Sequence, residues 1–259
     1  METSAIIADL VCAYVIAVVG VHLLVGMLGA VPLSHVATMG VSAYVYSLSS
    51  TRLGLSTPAS LCLAVFASLL LAFVFNLITL RLTDQVFSLA TFGFHLLFFS
   101  AALSFTQITG GPMGVKQVPW VFGFESDLQQ TSCCVVGAIG ALFLYYRIWR
   151  SPLGVIARAT RDELEFSRGI GVDTALIRLQ VLMVSSCLWA IAGVLLASVT
   201  GYIEPSSFLL EGAVSLLAVA FLVGRRGSVV RIAVATAGVF AGPEILRFFD
   251  LSTDRIGII

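Results

Sequence analysis

Charge is what this sequence has least of. Its 259 residues carry 14 basic and 14 acidic side chains, 11% of the chain, and 59% of its residues are apolar; a soluble domain is charged at roughly a quarter of its positions. The mean hydropathy is +1.04, and the net charge of zero excludes electrostatic capture of a nucleic acid as a role. Catalytic groupings are missing as well. No G-x-x-x-x-G-K-[ST] loop occurs, so ATP is not hydrolysed by this chain, and "GGPMGVK" has only a superficial likeness to one. There is no H-E-x-x-H, no pair of carboxylates within an apolar run and no Ser/His/Asp grouping. The five cysteines have no C-x-x-C spacing and no neighbouring histidine pair, so they read as small buried hydrophobes rather than as metal or redox ligands. The opening "METSAIIADL" lacks the basic region of a secretory signal, and the apolar run behind it is too long for one.

What is present is uninterrupted apolar sequence. Charge-free runs extend over residues 10–51, 53–80, 85–115, 128–146 and 179–203, each close to or above the ~20 residues that a helix needs to cross ~30 Å of hydrocarbon. The runs are continuous, not alternating, so the spanning structure is a helix and not a barrel strand. Eight hydrophobic segments are expected: 6–27, 34–48, 58–80, 86–105, 132–149, 174–199, 207–223 and 229–249. The fold class is an all-α integral membrane protein, a bundle of about eight transmembrane helices, and residues 1–259 form one domain.

Two stretches are interrupted in a way a lipid-facing helix should not be. "VGMLGAVPLSHVATMG" sets Gly26, Gly29, Pro32 and Gly40 between the first two segments, and "ITGGPMGV" sets Gly110, Gly111, Pro112 and Gly114 after the fourth. Broken backbone at membrane depth is tolerated only where it is packed in protein or lines a polar cavity, so both point to a translocation path; the second fits a tight surface turn equally well.

Ten of the 28 charges, six arginines and four acids, fall between Arg147 and Arg178. Basic residues favour the cytoplasmic ends of spans. With this island inside, strict alternation also puts Arg81, Arg225, Arg226 and Arg231 there and leaves Arg52, Lys116, Arg247 and Arg255 outside, ten against four. Trp120, Phe124 and Tyr202 then fall near the outer headgroups, and Asp9, Asp84 and Glu244 lie near span ends where they reach water. Glu211, at the head of the seventh segment, suits a helix N-terminus.

Five blocks carry a family resemblance: "LLVGMLGAVPLSHVATMGVSAYV", "LRLTDQVFSLATFGF" leading to "ITGGPMGVKQVP", "SPLGVIARATRDELEFSRGIGVDTALIRLQVLMVSSCLWAIAGVLLA", "GYIEPSSF" and "GPEILRF". In this order they resemble the permease subunits of branched-chain amino-acid ABC importers. Ala30, Pro32, Leu96, Arg225 and Arg231 depart from the family's pattern.

The resemblance implies a bacterial inner-membrane, multi-pass subunit that pairs with a second, homologous or identical permease and works by alternating access. It implies two cytoplasmic ATPase subunits that hold the ATP, an external solute-binding protein, surrounding lipid, and no cofactor in this chain. It implies too that residues 150–173 form a cytoplasmic coupling loop with a short helix seated on the ATPase. Leu153, Val155, Ile156, Ala159 and Leu164 would supply its apolar edge; Arg158, Arg161, Asp162, Glu163 and Glu165 its solvated face; Gly169 and Gly171 its stop. A solvated loop that binds nothing is the alternative.

A path for branched-chain amino acids calls for apolar walls and a few hydroxyl or backbone groups. Ser34, His35 and Thr38 at the first break, Thr91 in the fourth segment, and Thr109, Gly110 and Gly111 at the second are the candidates. Against them stands the tendency of an intramembrane Ser or Thr to bond its own helix. His22 and His95 read as buried neutral histidines, and His35 as structural or path-lining. The other classes to weigh are a shortened scaffold that stabilises a complete permease without lining its path, and an autonomous secondary transporter, which lacks the expected carboxylates.

Overall fold

A computed structural model describes residues 2–79, 82, 84–123, 126–224 and 227–248. Each of the eight expected segments is a helix: α1 (Glu2–Leu28), α2 (His35–Thr51), α3 (Thr57–Thr79), α4 (Asp84–Ser104), α6 (Asp127–Arg150), α9 (Thr174–Thr200), α10 (Leu210–Val223) and α11 (Val229–Phe248). Between them lie the short α5 (Thr106–Thr109), α7 (Pro152–Asp162) and α8 (Leu164–Gly169). Among the described residues, six helices are long and apolar enough to cross a membrane, namely α1, α3, α4, α6, α9 and the stretch Pro205–Val223 that contains α10. The remaining two fall short for different reasons. α2 has only 17 residues and is rich in hydroxyls, and for α11 the described apolar stretch is Val229–Gly242.

Hydrophobicity on all sides puts α1 and α9 in the middle of the bundle, where they pack on each other. α2 and α3 cover one flank of α9, while α6, α10 and α11 surround α1. The outer helices are built in the opposite sense to those of a soluble protein. On α3 the buried residues are Ser60, Ala64, Ser68, Ala72, Asn76 and Thr79, spaced by about four, whereas Phe66, Leu70, Phe73 and Leu77 are exposed. Small side chains let backbones approach, and large ones meet lipid or a partner. α2 and α9 approach each other closely. An added Cβ at Gly193 would strike the Met39 carbonyl and the Ser42 hydroxyl.

Hydroxyls buried in α2 serve their own helix: Ser42 donates to Met39 O at 2.7 Å, Ser47 to Ala43 O at 2.7 Å and Ser49 to Tyr46 O at 3.0 Å. Such bonds satisfy a polar residue without disturbing a dry interior. α9 is closed at both ends, by Asp173 accepting from the N–H groups of Ala175 and Leu176 at 3.1 Å and by Gly201 in the left-handed conformation. It therefore runs from the α7–α8 end of the bundle to the opposite end. There a two-stranded antiparallel ribbon forms, β1 (Val115–Lys116) on β2 (Tyr202–Ile203), in the register Val115↔Ile203 and Lys116↔Tyr202.

Two expectations are corrected. Asp9 does not reach water; it is 4% exposed, inside α1 and beside Cys12 and Cys134. The five cysteines are unpaired, but only Cys134 is fully buried, and Cys62 is exposed on α3. Arg81, Phe124, Arg225, Arg226 and Arg255, together with the side chains of Asp84, Glu244 and Arg247, lie outside the described residues.

Candidate functional site

The break between α1 and α2 is packed in protein. α1 ends at Gly29, whose φ of 70° stops the helix, and residues 29–34 run without helix to α2. The ring of His35 lies 5.8 Å from that of Trp189, which stands about halfway along α9, so α2 starts near the middle of the bundle and not at its edge. The irregular backbone finds its partners locally. Leu33 N–H donates to Thr91 Oγ1 at 3.0 Å, and the Thr91 hydroxyl donates to Ser88 O at 2.7 Å. His35 Nδ1 donates to Pro32 O at 2.8 Å, and the Thr38 hydroxyl donates to Ser34 O at 3.1 Å.

Four of the candidate path residues thus gather at one place: Ser34, His35, Thr38 and Thr91. Ser34 and Thr38 open onto a pocket between α2, α3, α4 and α9, completed by Leu71, Ala72, Phe75, Phe94, Leu182, Ser186 and Trp189. It has room for about one water molecule. Phe75 and Phe94, whose rings are 5.3 Å apart, form part of its wall. Sequence reasoning did not single out Ser186, Trp189, Phe75 or Phe94. The adjacent serines Ser185 and Ser186, mid-span in an apolar run, were the available signal.

Thr109, Gly110 and Gly111 are elsewhere, in a tight turn at the ribbon end. The Thr109 hydroxyl donates to Ala102 O at 2.7 Å and accepts from Gly111 N–H at 3.1 Å. Gly110, Gly111 and Gly114 all take positive φ, and Gly114 lies against the backbone of Ile203, so the turn is clamped to the ribbon. Next to it the Glu204 carboxylate accepts from the hydroxyls of Ser206 and Tyr202, bonds that hold its pKa below the usual carboxylate value and raise that of Tyr202.

At the other end, residues 150–173 fold into α7 and α8, separated at Glu163. Ser151 caps α7 by accepting from Gly154 N–H at 3.2 Å, and Pro152 opens the helix. The expected solvated face is only half right. Asp162, Glu163 and Glu165 are exposed, and Gly169 closes α8, but Arg158 and Arg161 turn inward. Arg158 stacks on the Trp149 ring at 4.6 Å and donates to Trp149 O at 2.8 Å. Arg161 is 13% exposed and donates to Gly26 O at the end of α1. Their long stems and carbonyl partners explain the reversal, since an arginine near a helix C-terminus satisfies an orphan carbonyl there. Outward instead stand Val155, Ile156, Leu164, Phe166 and Ile170, all exposed.

Beneath α7 lies a buried network that the sequence did not show. His22 Nε2 donates to Gly224 O at 3.0 Å, which leaves Nδ1 to accept from the Tyr145 hydroxyl, also at 3.0 Å. Tyr145 stacks on Trp149, with centroids 5.4 Å apart, and its hydroxyl fills the space where Gly227 lacks a side chain. His22 is thus a neutral structural histidine, tying α1 and α6 to the α10–α11 turn.

Comparison with known proteins fits this arrangement. The family model described as branched-chain amino acid transport system / permease component matches residues 5–242. The chain is 26% identical over 274 residues to the high-affinity branched-chain amino acid transport system permease protein LivM of Salmonella typhimurium, covering 95% of this chain and 64% of that protein. It is 25% identical over 271 residues to LivM of Escherichia coli K12, with 94% and 64% covered. A shorter match, 32% identical over 93 residues, joins it to the autoinducer 2 import system permease protein LsrC of Escherichia coli O9:H4, covering 32% of this chain and 27% of that one. The chain spans 64% of the length of the LivM proteins it matches.

Proposed function

Since the chain belongs to the branched-chain amino acid transport system / permease component family, and is a multi-pass membrane protein, we propose that it is a permease subunit of a bacterial inner-membrane ABC importer. Its solute is a branched-chain amino acid or a related small molecule. It pairs with a second permease, takes solute from an external binding protein, and is driven by two ATPase subunits docked beneath α7 and α8. In this reading α2 and α11 join the six long helices as crossings. α2 makes an incomplete one that starts at the buried break.

The observation that carries the proposal is the reversed polarity of the α7–α8 hairpin. Two of its three arginines, Arg161 and Arg158, are spent on the bundle, at Gly26 O and Trp149, while Val155, Ile156, Leu164, Phe166 and Ile170 are left exposed on a segment too short and too charged to enter lipid. A solvated loop with no partner would do the opposite. An apolar ridge on a short helix fits a hydrophobic groove on another protein, and the inward arginines give that ridge a firm base from which force passes to the helices.

The test is ATP-driven uptake of labelled leucine by proteoliposomes that hold the whole complex, with and without Phe166→Asp and Ile170→Asp. Both variants should insert and keep their thermal stability, yet release the ATPase subunits and lose uptake. Full uptake in the double variant would refute the docking role. Uptake that survives bulky substitutions at Thr38 and Ser186 would favour a scaffold beside another chain's path.

A further inference from the structure

The first turn of α2 holds three backbone N–H groups, on His35, Val36 and Ala37, that have no acceptor among the described residues. These residues are 0–4% exposed and stand in the middle of a membrane bundle, where an amide left without a partner is costly. Ser34 occupies the capping position but makes no capping bond, and the first turn has no acidic side chain. The pocket at this turn is lined by Ser186 of α9, which is 0% exposed and whose hydroxyl has no partner among the described residues.

We propose that this pocket is a carboxylate subsite. Carboxylate oxygens of a small apolar acid accept from the N-terminal amides of α2 and from the hydroxyls of Ser34 and Ser186, while Phe75, Phe94 and Leu182 enclose the apolar part. The inference rests on the permease reading of the same pocket. The first-turn amides can only donate and the two serine hydroxyls are each able to donate, and the positive end of a helix dipole adds to the preference for an anion. No acidic side chain lines the pocket, so an ammonium group finds only weak acceptors, such as the Thr38 oxygen. The carboxylate is therefore the group that is read, and the amino group contributes little. With room for about one water at present, the pocket admits a solute only when the break and the start of α2 draw away from α3, α4 and α9.

The experiment is calorimetric titration of the intact complex in nanodiscs with three probes that share one apolar end: leucine, isovalerate, which lacks the ammonium, and leucinamide, which lacks the carboxylate. Leucine and isovalerate should bind within about tenfold of each other, and leucinamide at least about tenfold more weakly, the range expected when a hydrogen bond to a charged group is lost. Ser34→Ala and Ser186→Ala should each weaken both acids by about tenfold and leave leucinamide unchanged, with Ser34→Thr restoring the loss at its position. Leucinamide binding as tightly as leucine, or acids binding equally to the alanine variants, would overturn the subsite. So would silence of all three probes in a complex that still imports another solute on ATP, an outcome that leaves the permease reading standing. Absence of any ATP-driven import would instead defeat that reading.

Discussion

Arg161→Gln should loosen α7 without unfolding the bundle, and the structure sets the size of the effect. The Arg161 guanidinium donates to Gly26 O, one of the last carbonyls of α1, which lack partners inside their own helix. A hydrogen bond from a charged donor to such a group contributes about 1.5–3 kcal/mol. Arg161 also meets Asp162 through Nε at 2.9 Å, but the Asp162 side chain is 56% exposed and a pair of that kind adds at most about 1 kcal/mol. Removing the guanidinium should therefore raise hydrogen exchange of the α7 amides by about ten- to hundredfold, since each ~1.4 kcal/mol is a factor of ten in the opening equilibrium. Arg168→Gln is the control. Its partner Glu165 lies 3.2 Å away with both side chains more than half exposed, and its loss should change exchange by less than about threefold. Exchange of residues 152–162, followed by mass spectrometry on protein in nanodiscs, separates the two. Equal exchange in both variants would show that the inward turn of Arg161 does not hold α7, and the account of a firmly based ridge would fall.

Three further outcomes follow from particular contacts. Gly193→Val places a branched side chain against the Met39 carbonyl and Ser42, so the thermal midpoint of the purified protein should drop by several degrees, consistent with an overpacking cost of about 1–3 kcal/mol; an unchanged midpoint would refute the close α2–α9 approach. His22→Phe strands the Gly224 carbonyl and the Tyr145 hydroxyl, each costing about 1–3 kcal/mol, and Tyr145→Phe in the same chain should return part of the loss, whereas strict additivity would deny the bond between them. The Glu204 carboxyl titrates below its usual 4.5 because Ser206 and Tyr202 donate to it, so its contribution to the ribbon is full above that value and disappears as pH falls through the lowered one. Exchange of residues 202–203, corrected for intrinsic rates, should rise over that interval in the parent and stay flat in Glu204→Gln.

The apolar runs located every long helix because lipid imposes length and continuity on a span, and these are one-dimensional properties a sequence displays. Ends were less visible. α6 starts at Asp127 and not at 132, because Ser126 caps it and helix formation does not stop where hydropathy does. The break before α2 was legible from its glycines and proline, and with it Ser34, His35, Thr38 and Thr91. Ser186 and Trp189 were not, since their part depends on which face of α9 turns toward α3, and a helix that is apolar all round gives no sign of its rotation. The same blindness explains the arginines of α7. Periodicity separates the polar face from the apolar one, but the choice of which face meets the bundle was settled by Gly26 O and the Trp149 ring, both distant in sequence.

That choice also decides how the two ends of the molecule communicate. Gly26, the acceptor for Arg161, lies three residues before Gly29, and the stem of Arg161 passes beside Gly29 itself. Gly29 begins the irregular stretch that ends at Ser34, so one side chain of α7 rests on the backbone whose far end lines the pocket. A second route runs through Arg158 to Trp149, Tyr145 and His22, reaching the α10–α11 turn at Gly224. A displacement of α7 is delivered first to α1 and to that turn. On the other side, the Arg178 guanidinium of α9 sits 4.2 Å from the Phe87 ring of α4 and donates to Leu82 O at 3.3 Å. Opening the pocket therefore means moving α1 and the break relative to a group of helices, α3, α4 and α9, held together at their own end. The α7–α8 hairpin rests on one side of the pocket, and Arg178 ties the other side together.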